Sequence, residues 1–171
     1  MIINNKNKMS SLKSINLIKT RETRSVVKTL DISNCLYEIQ NQNDLIQKLY
    51  MNVTFPESRK LRSQIVAKVG SYRKQDRDKQ RYDQDKFITY DETVELIVAS
   101  QMRCHYCRDE MYLFYQNVRE QKQWTLDRVN NDIGHYANNV VISCLECNLK
   151  RRRTNKDNFL FTKQLKLVKK G

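Results

Sequence analysis

Two Cys-x-x-Cys pairs, Cys104 with Cys107 and Cys144 with Cys147, constrain the fold of this 171-residue chain more than any other feature. Thirty-six residues separate them. Two thiolates three positions apart chelate one ion from a tight knuckle, and two knuckles supply the closed four-thiolate shell of structural zinc. Such a shell leaves no open coordination position, so the zinc it predicts is structural rather than catalytic. Its binding energy would also be folding energy for a unit that buries little apolar surface. His105, inside the first pair, is expected to be an exposed or stacking residue, since four cysteines already complete the shell. The fifth cysteine, Cys35, reads as a free, partly buried thiol.

The rest of the chain is basic. Thirty-two Lys and Arg stand against 19 Asp and Glu, a formal charge of +13. That excess favours a polyanionic partner, nucleic acid first and an anionic membrane surface second. Within nucleic acids, DNA is placed ahead of RNA. No run of about 20 apolar residues occurs, so no spanning helix and no membrane insertion are expected. The opening stretch from Met1 to Lys6 lacks the apolar core of a secretory signal. An intracellular, non-secreted protein follows as the expectation, with nucleus, cytoplasm and organelle left open.

Only three Gly and one Pro interrupt the chain, which points to a largely helical fold. Residues 1–30, rich in Asn, Lys and Ser, read as a flexible basic arm. Residues 31–86 read as a helical extension. Leu36, Ile39, Leu45, Ile46, Leu49 and Tyr50 suggest one or two short helices. A long basic helix is predicted from Arg59 to about Tyr82, capped by Thr54 or Ser58, with Leu61, Ile65, Val66, Val69 and Tyr72 inward. Its polar second half reads either as a solvated surface or as a phosphate-contacting one.

Thr89 and Glu92 form a capping box, so a helix should open there and run to about Gln101. Three strands are then predicted: Tyr112 to Tyr115, Trp124 to Asp127, and Val140 to Ser143. A loop from Arg128 to Asn139 joins the last two, and a short helix follows the second knuckle to Arg153. The tail, 154–171, is basic with an apolar stripe that suits a helix packed back on the module.

The order of signals over 87–153 is specific: knuckle, strand ending in Asp127, loop, Asn139 before a strand, then a second knuckle followed by Asn148 and basic residues. It resembles the HNH endonucleases of the His-Me finger (ββα-metal) type, in the variant whose first motif reads Leu-Asp-Arg. The fold class this implies is α+β, a small zinc-stapled ββα-metal module preceded by the helical basic extension. The resemblance implies that Asp127 and Asn148 hold a catalytic Mg²⁺ or Mn²⁺ and that Asn139 ties the loop. Oxygen ligands of that kind suit a hard cation.

The resemblance breaks at residue 128. The family usually places a general-base histidine there, and this chain has Arg128. Arginine stays protonated and cannot serve as a base, but it can grip a phosphate. His135, in the loop, is the remaining candidate base, its alternative being a loop residue packed on the hairpin. Lys150, Arg151, Arg152 and Arg153 are candidate phosphate contacts. Two functions are therefore expected. The first is a divalent-metal-dependent HNH endonuclease hydrolysing phosphodiester bonds in DNA. The second is a non-catalytic zinc-containing nucleic-acid-binding protein on the same scaffold, for instance as one component of a larger nucleoprotein assembly.

Overall fold

A computed structural model describes residues 39–165. The basic arm, Cys35, Leu36 and the last six residues lie outside the described residues. Among the described residues the fold is mixed: five α-helices around a two-stranded antiparallel sheet. Helix α1 spans Ile39–Tyr50, α2 Ser58–Asp78 and α3 Tyr90–Ala99. Strand β1, Trp124–Arg128, pairs with β2, Val140–Cys144, and α4, Leu145–Arg151, leaves β2 directly. Helix α5, Lys156–Gln164, closes the described chain. Among the described residues no helix is long and apolar enough to cross a membrane.

The capping box forms as read. Thr89 Oγ1 accepts from the Glu92 backbone N–H at 3.2 Å, and Glu92 Oε2 accepts from the Thr89 N–H at 2.8 Å. Val94 and Ile97 of α3 are buried against α1, which contributes Leu45, Ile46 and Leu49 to the same core.

Helix α2 departs from expectation at both ends. Neither Thr54 nor Ser58 caps it; Ser58 is its first helical residue, and the preceding Glu57 makes no side-chain cap bond. It stops at Asp78, four residues short of the predicted Tyr82. Gln80 adopts a left-handed conformation (φ 55°), its N–H donates to the Arg77 carbonyl, and the Arg81 N–H returns to the Asp76 carbonyl at 2.8 Å. That is a Schellman closure with Gln where Gly is usual, so the sequence carried no stop signal. Val66 faces solvent rather than the core. The polar second half is not merely solvated, because Tyr72 and Asp76 are both buried.

The strand expected at Tyr112 to Tyr115 is absent. Its backbone groups are taken elsewhere. The Leu113 and Phe114 N–H groups both donate to Oε1 of Gln42, a buried residue of α1, at 2.6 and 3.1 Å. Only a single parallel bridge, Tyr112 with Gln123, remains. The tail helix does pack back: Phe159 of α5 meets the Tyr106 ring edge-on, centroids 5.0 Å apart.

Candidate metal centre and hairpin site

The four knuckle cysteines converge. Their sulfurs all lie within 4.8 Å of one another, and the Cys107 and Cys144 sulfurs are 4.0 Å apart. A tetrahedral ion with Zn–S bonds of about 2.3 Å holds its sulfurs roughly 3.8 Å apart, so the cluster could hold a metal such as zinc.

Each knuckle is prepared by its backbone. In the first, Arg108 takes a left-handed conformation (φ 64°) and returns its N–H to the Cys104 carbonyl at 3.0 Å. In the second, Cys144 is the N-cap of α4, its sulfur accepting the Cys147 N–H at 3.4 Å. The Cys144 N–H in turn donates to the Cys104 sulfur at 3.3 Å. Such donors stabilise thiolates.

Hydrogen bonds from the Cys144 and Cys147 thiols hold Cys104 far below the ordinary thiol range. Burial pushes Cys107 up to about 12. Hydrogen bonding to Cys104, with burial, pushes Cys144 and Cys147 upward as well. Burial and mutual crowding of the four sulfurs oppose their joint ionisation, which a cation among them would relieve. His105 is half-buried, edge-on to Tyr106, and its sulfur-free ring takes no place in the cluster.

Beside this centre, β1, the loop, β2 and α4 bring the expected hairpin residues together. Asn139 is buried and ties the loop. Its Oδ1 accepts the Asn130 N–H, and its Nδ2 donates to the carbonyls of Asn130 and Gly134, all at 2.9 Å. Asn148 donates through Nδ2 to Thr125 Oγ1 at 3.1 Å and to the Leu126 carbonyl at 3.4 Å.

Asp127 is 3% exposed and fully engaged. Arg151 grips it through Nε on Oδ2 at 2.6 Å and Nη2 on Oδ1 at 2.8 Å. The Tyr106 hydroxyl, from the first knuckle, adds a third bond to Oδ2 at 2.7 Å. Arg151 is itself 1% exposed and also donates to the Arg128 and Thr154 carbonyls.

The divalent ion that the resemblance implies at Asp127 and Asn148 does not fit this arrangement. Both carboxylate oxygens are already bonded to a guanidinium, which neutralises the charge a cation would need. Asn148 engages only its amide N–H on Thr125 and Leu126, so the misfit rests on the Asp127–Arg151 pair. Arg151, expected among the phosphate contacts, is instead an interior residue. Its neighbours differ: Lys150 pairs with Glu146, Arg153 with Asp132, and Arg152 is exposed.

His135 is also interior, at 3% exposed. Its backbone N–H donates to Asp76 Oδ2 at 2.6 Å, and its Nδ1 lies 2.9 Å from Asp76 Oδ1. The ring stacks obliquely on Tyr72, whose hydroxyl accepts the Leu126 N–H. Burial pushes the imidazole below its usual value, and the Asp76 carboxylate only partly offsets that, so it is neutral near pH 7. Nδ1 then carries the proton toward Asp76. Arg128, largely covered, lies 3.7 Å from the same Asp76 oxygen and donates to the Ile133 carbonyl. Asp76 was missed because it stands among charged residues, yet the spacing 61, 65, 69, 72, 76 carries the buried face of α2 straight to it.

No protein-family model, curated protein or solved structure matches the chain. The HNH resemblance rests on the motif residues alone.

Proposed function

We propose that this protein is a zinc-stapled nucleic-acid-binding protein on an HNH-type hairpin-and-helix scaffold, acting by binding rather than by metal-assisted hydrolysis. The observation that carries this reading is the Asp127–Arg151 pair. A carboxylate with both oxygens on one buried guanidinium is a structural anchor for α4, not a vacant ligand. His135 agrees with it: buried under Tyr72 and fastened to Asp76, it supports the loop from below. The charge of +13 supplies the affinity for phosphate.

Hydrolysis by a divalent-metal-dependent endonuclease is the second reading, and one observation favours it. The order β1, loop, β2, α4 brings Asp127 and Asn148 to adjoining backbone, with the Asn148 amide on the Leu126 carbonyl. The two readings separate in one experiment. Zinc-loaded protein is offered supercoiled plasmid, single-stranded DNA and folded RNA, with and without Mg²⁺ or Mn²⁺, while binding and nicking are followed together. Salt-dependent binding without cleavage is expected. Metal-dependent nicking that vanishes in Asp127→Asn, with zinc content unchanged, would establish hydrolysis instead.

A further inference from the structure

Four arginines from distant parts of the chain meet at the loop Asn130 to Ile133. Arg81, just past α2, donates to the Asn131 carbonyl. Arg128, at the end of β1, donates to the Ile133 carbonyl at 3.3 Å. Past α4, Arg152 lends its carbonyl to the Asn131 amide at 2.8 Å, and Arg153 pairs with Asp132 at 2.6 Å. Two helix C-terminal ends and a strand end thus converge on these four loop residues, Arg81, Arg128 and Arg153 through their guanidinium groups and Arg152 through its backbone carbonyl. Against them stand two carboxylates, exposed Asp132 and buried Asp76. Arg77, exposed on the last turn of α2 over the Tyr82 ring, extends the same edge.

We propose that this arginine-ringed loop is the face on which the protein seats a nucleic-acid backbone, with Arg152 and Arg153 as direct phosphate contacts. The proposal rests on the nucleic-acid reading above and assigns it a surface. Arg81 and Arg128 each spend a donor on a loop carbonyl, which fixes their planes. A guanidinium has five N–H donors, so Arg81 keeps several for phosphate oxygens, while Arg128, largely covered beside Asp76, braces the loop. The side chain of Arg152 has no hydrogen bond or ion pair among the described residues, and the Arg153–Asp132 pair is exposed and readily exchanged. A lipid surface fits less well. The loop offers one apolar side chain, Ile133 at 38% exposed, which is too little to enter a bilayer.

Affinity for a 20-base-pair DNA duplex and for a single strand is measured against salt for zinc-loaded wild type, Arg152→Gln with Arg153→Gln, and Arg152→Gln alone. Arg119→Gln with Lys122→Gln, on the exposed far loop, removes the same charge as a control. Each phosphate contact contributes about 0.9 to the slope of log affinity against log salt for duplex DNA. The loop double variant should therefore flatten the slope by roughly 2 and the single variant by about 1, while the control keeps it. Equal flattening by control and loop variants would overturn the assignment, since net charge alone would explain it. So would an unchanged slope in the loop variants while wild type binds. Binding to phosphatidylserine vesicles but to no nucleic acid would replace this partner with a membrane. Wild type that binds neither would overturn the underlying function as well. Zinc content and the urea midpoint, expected unchanged in Arg152→Gln, confirm that folding is intact.

Discussion

Replacing Arg151 by Ala tests the anchor most directly. The guanidinium makes two bonds to Asp127 and one each to the Arg128 and Thr154 carbonyls, from a position 1% exposed. Removing it strands a buried carboxylate with the Tyr106 hydroxyl as its remaining side-chain donor. Breaking a buried pair by deleting one partner costs about 3–5 kcal/mol. The orphaned carbonyls add roughly 1 kcal/mol if water does not reach them. Removing both charges, by Asp127→Leu with Arg151→Met, should cost far less than the single change, because no uncompensated charge remains. Urea unfolding of zinc-loaded protein reads this out through the one tryptophan, Trp124, which is buried at the start of the strand that carries Asp127. Mg²⁺ at about 10 mM should leave the wild-type midpoint unmoved, since a ligand stabilises only where it binds the folded state. The reasoning fails if Arg151→Ala unfolds within about 1 kcal/mol of wild type. It fails equally if Mg²⁺ stabilises wild type and Asp127→Asn cancels the effect.

Elemental analysis should find about one zinc per chain in protein purified without added metal, and Cys107→Ser or Cys144→Ser should unfold the C-terminal half; a zinc-free, folded chain would refute the staple. Gly134→Ala should lose about 1–3 kcal/mol or more by overpacking, because an added Cβ would sit 2.5 Å from the Arg81 carbonyl and 2.9 Å from Asp76 Oδ2; an unchanged melting temperature would contradict the packing. Stability should fall as pH drops below about 6.5, because the unfolded chain then binds a proton that buried His135, with its lowered pKa, still refuses. Above that pH His135 is neutral in both states and contributes no slope. Comparing urea midpoints between pH 5 and 8, His135→Gln should remove this component, and an identical profile in the variant would rule it out.

Local chemistry made half of this site legible. Spacing alone brought out the two knuckles, and Thr89 and Glu92 announced α3, because each signal is complete within four residues. What failed depended on partners distant in sequence. The apolar run from Tyr112 to Tyr115 looks like a strand until Gln42, some seventy residues earlier, takes its N–H groups. Arg151 is indistinguishable from Lys150, Arg152 and Arg153 in a basic run; only the end of α4, facing β1, turns one of the four inward. Asp127 carries the same motif position whether it faces a cation or a guanidinium, so sequence could name the residue but not its partner.

Helix α2 reaches well beyond its own segment: Lys68 donates to the Trp124 carbonyl, Tyr72 meets Leu126, and Asp76 holds His135. The proposed boundary at residue 86 is thus crossed by three buried or part-buried side chains. During synthesis this sets an order of events. Strand β1 begins some forty-five residues after α2 ends, and the last knuckle cysteine comes later still. The hairpin also needs β2, which ends at Cys144, so at about 5–20 residues per second a ribosome leaves the inner face of α2 waiting for roughly 3–13 seconds before its hairpin exists. A metal held by the four cysteines could not be fully enclosed until Cys147 has emerged. Were the four cysteines to take zinc, its availability at that moment would set how long this helix face stays open to chaperones, proteases and other nascent chains.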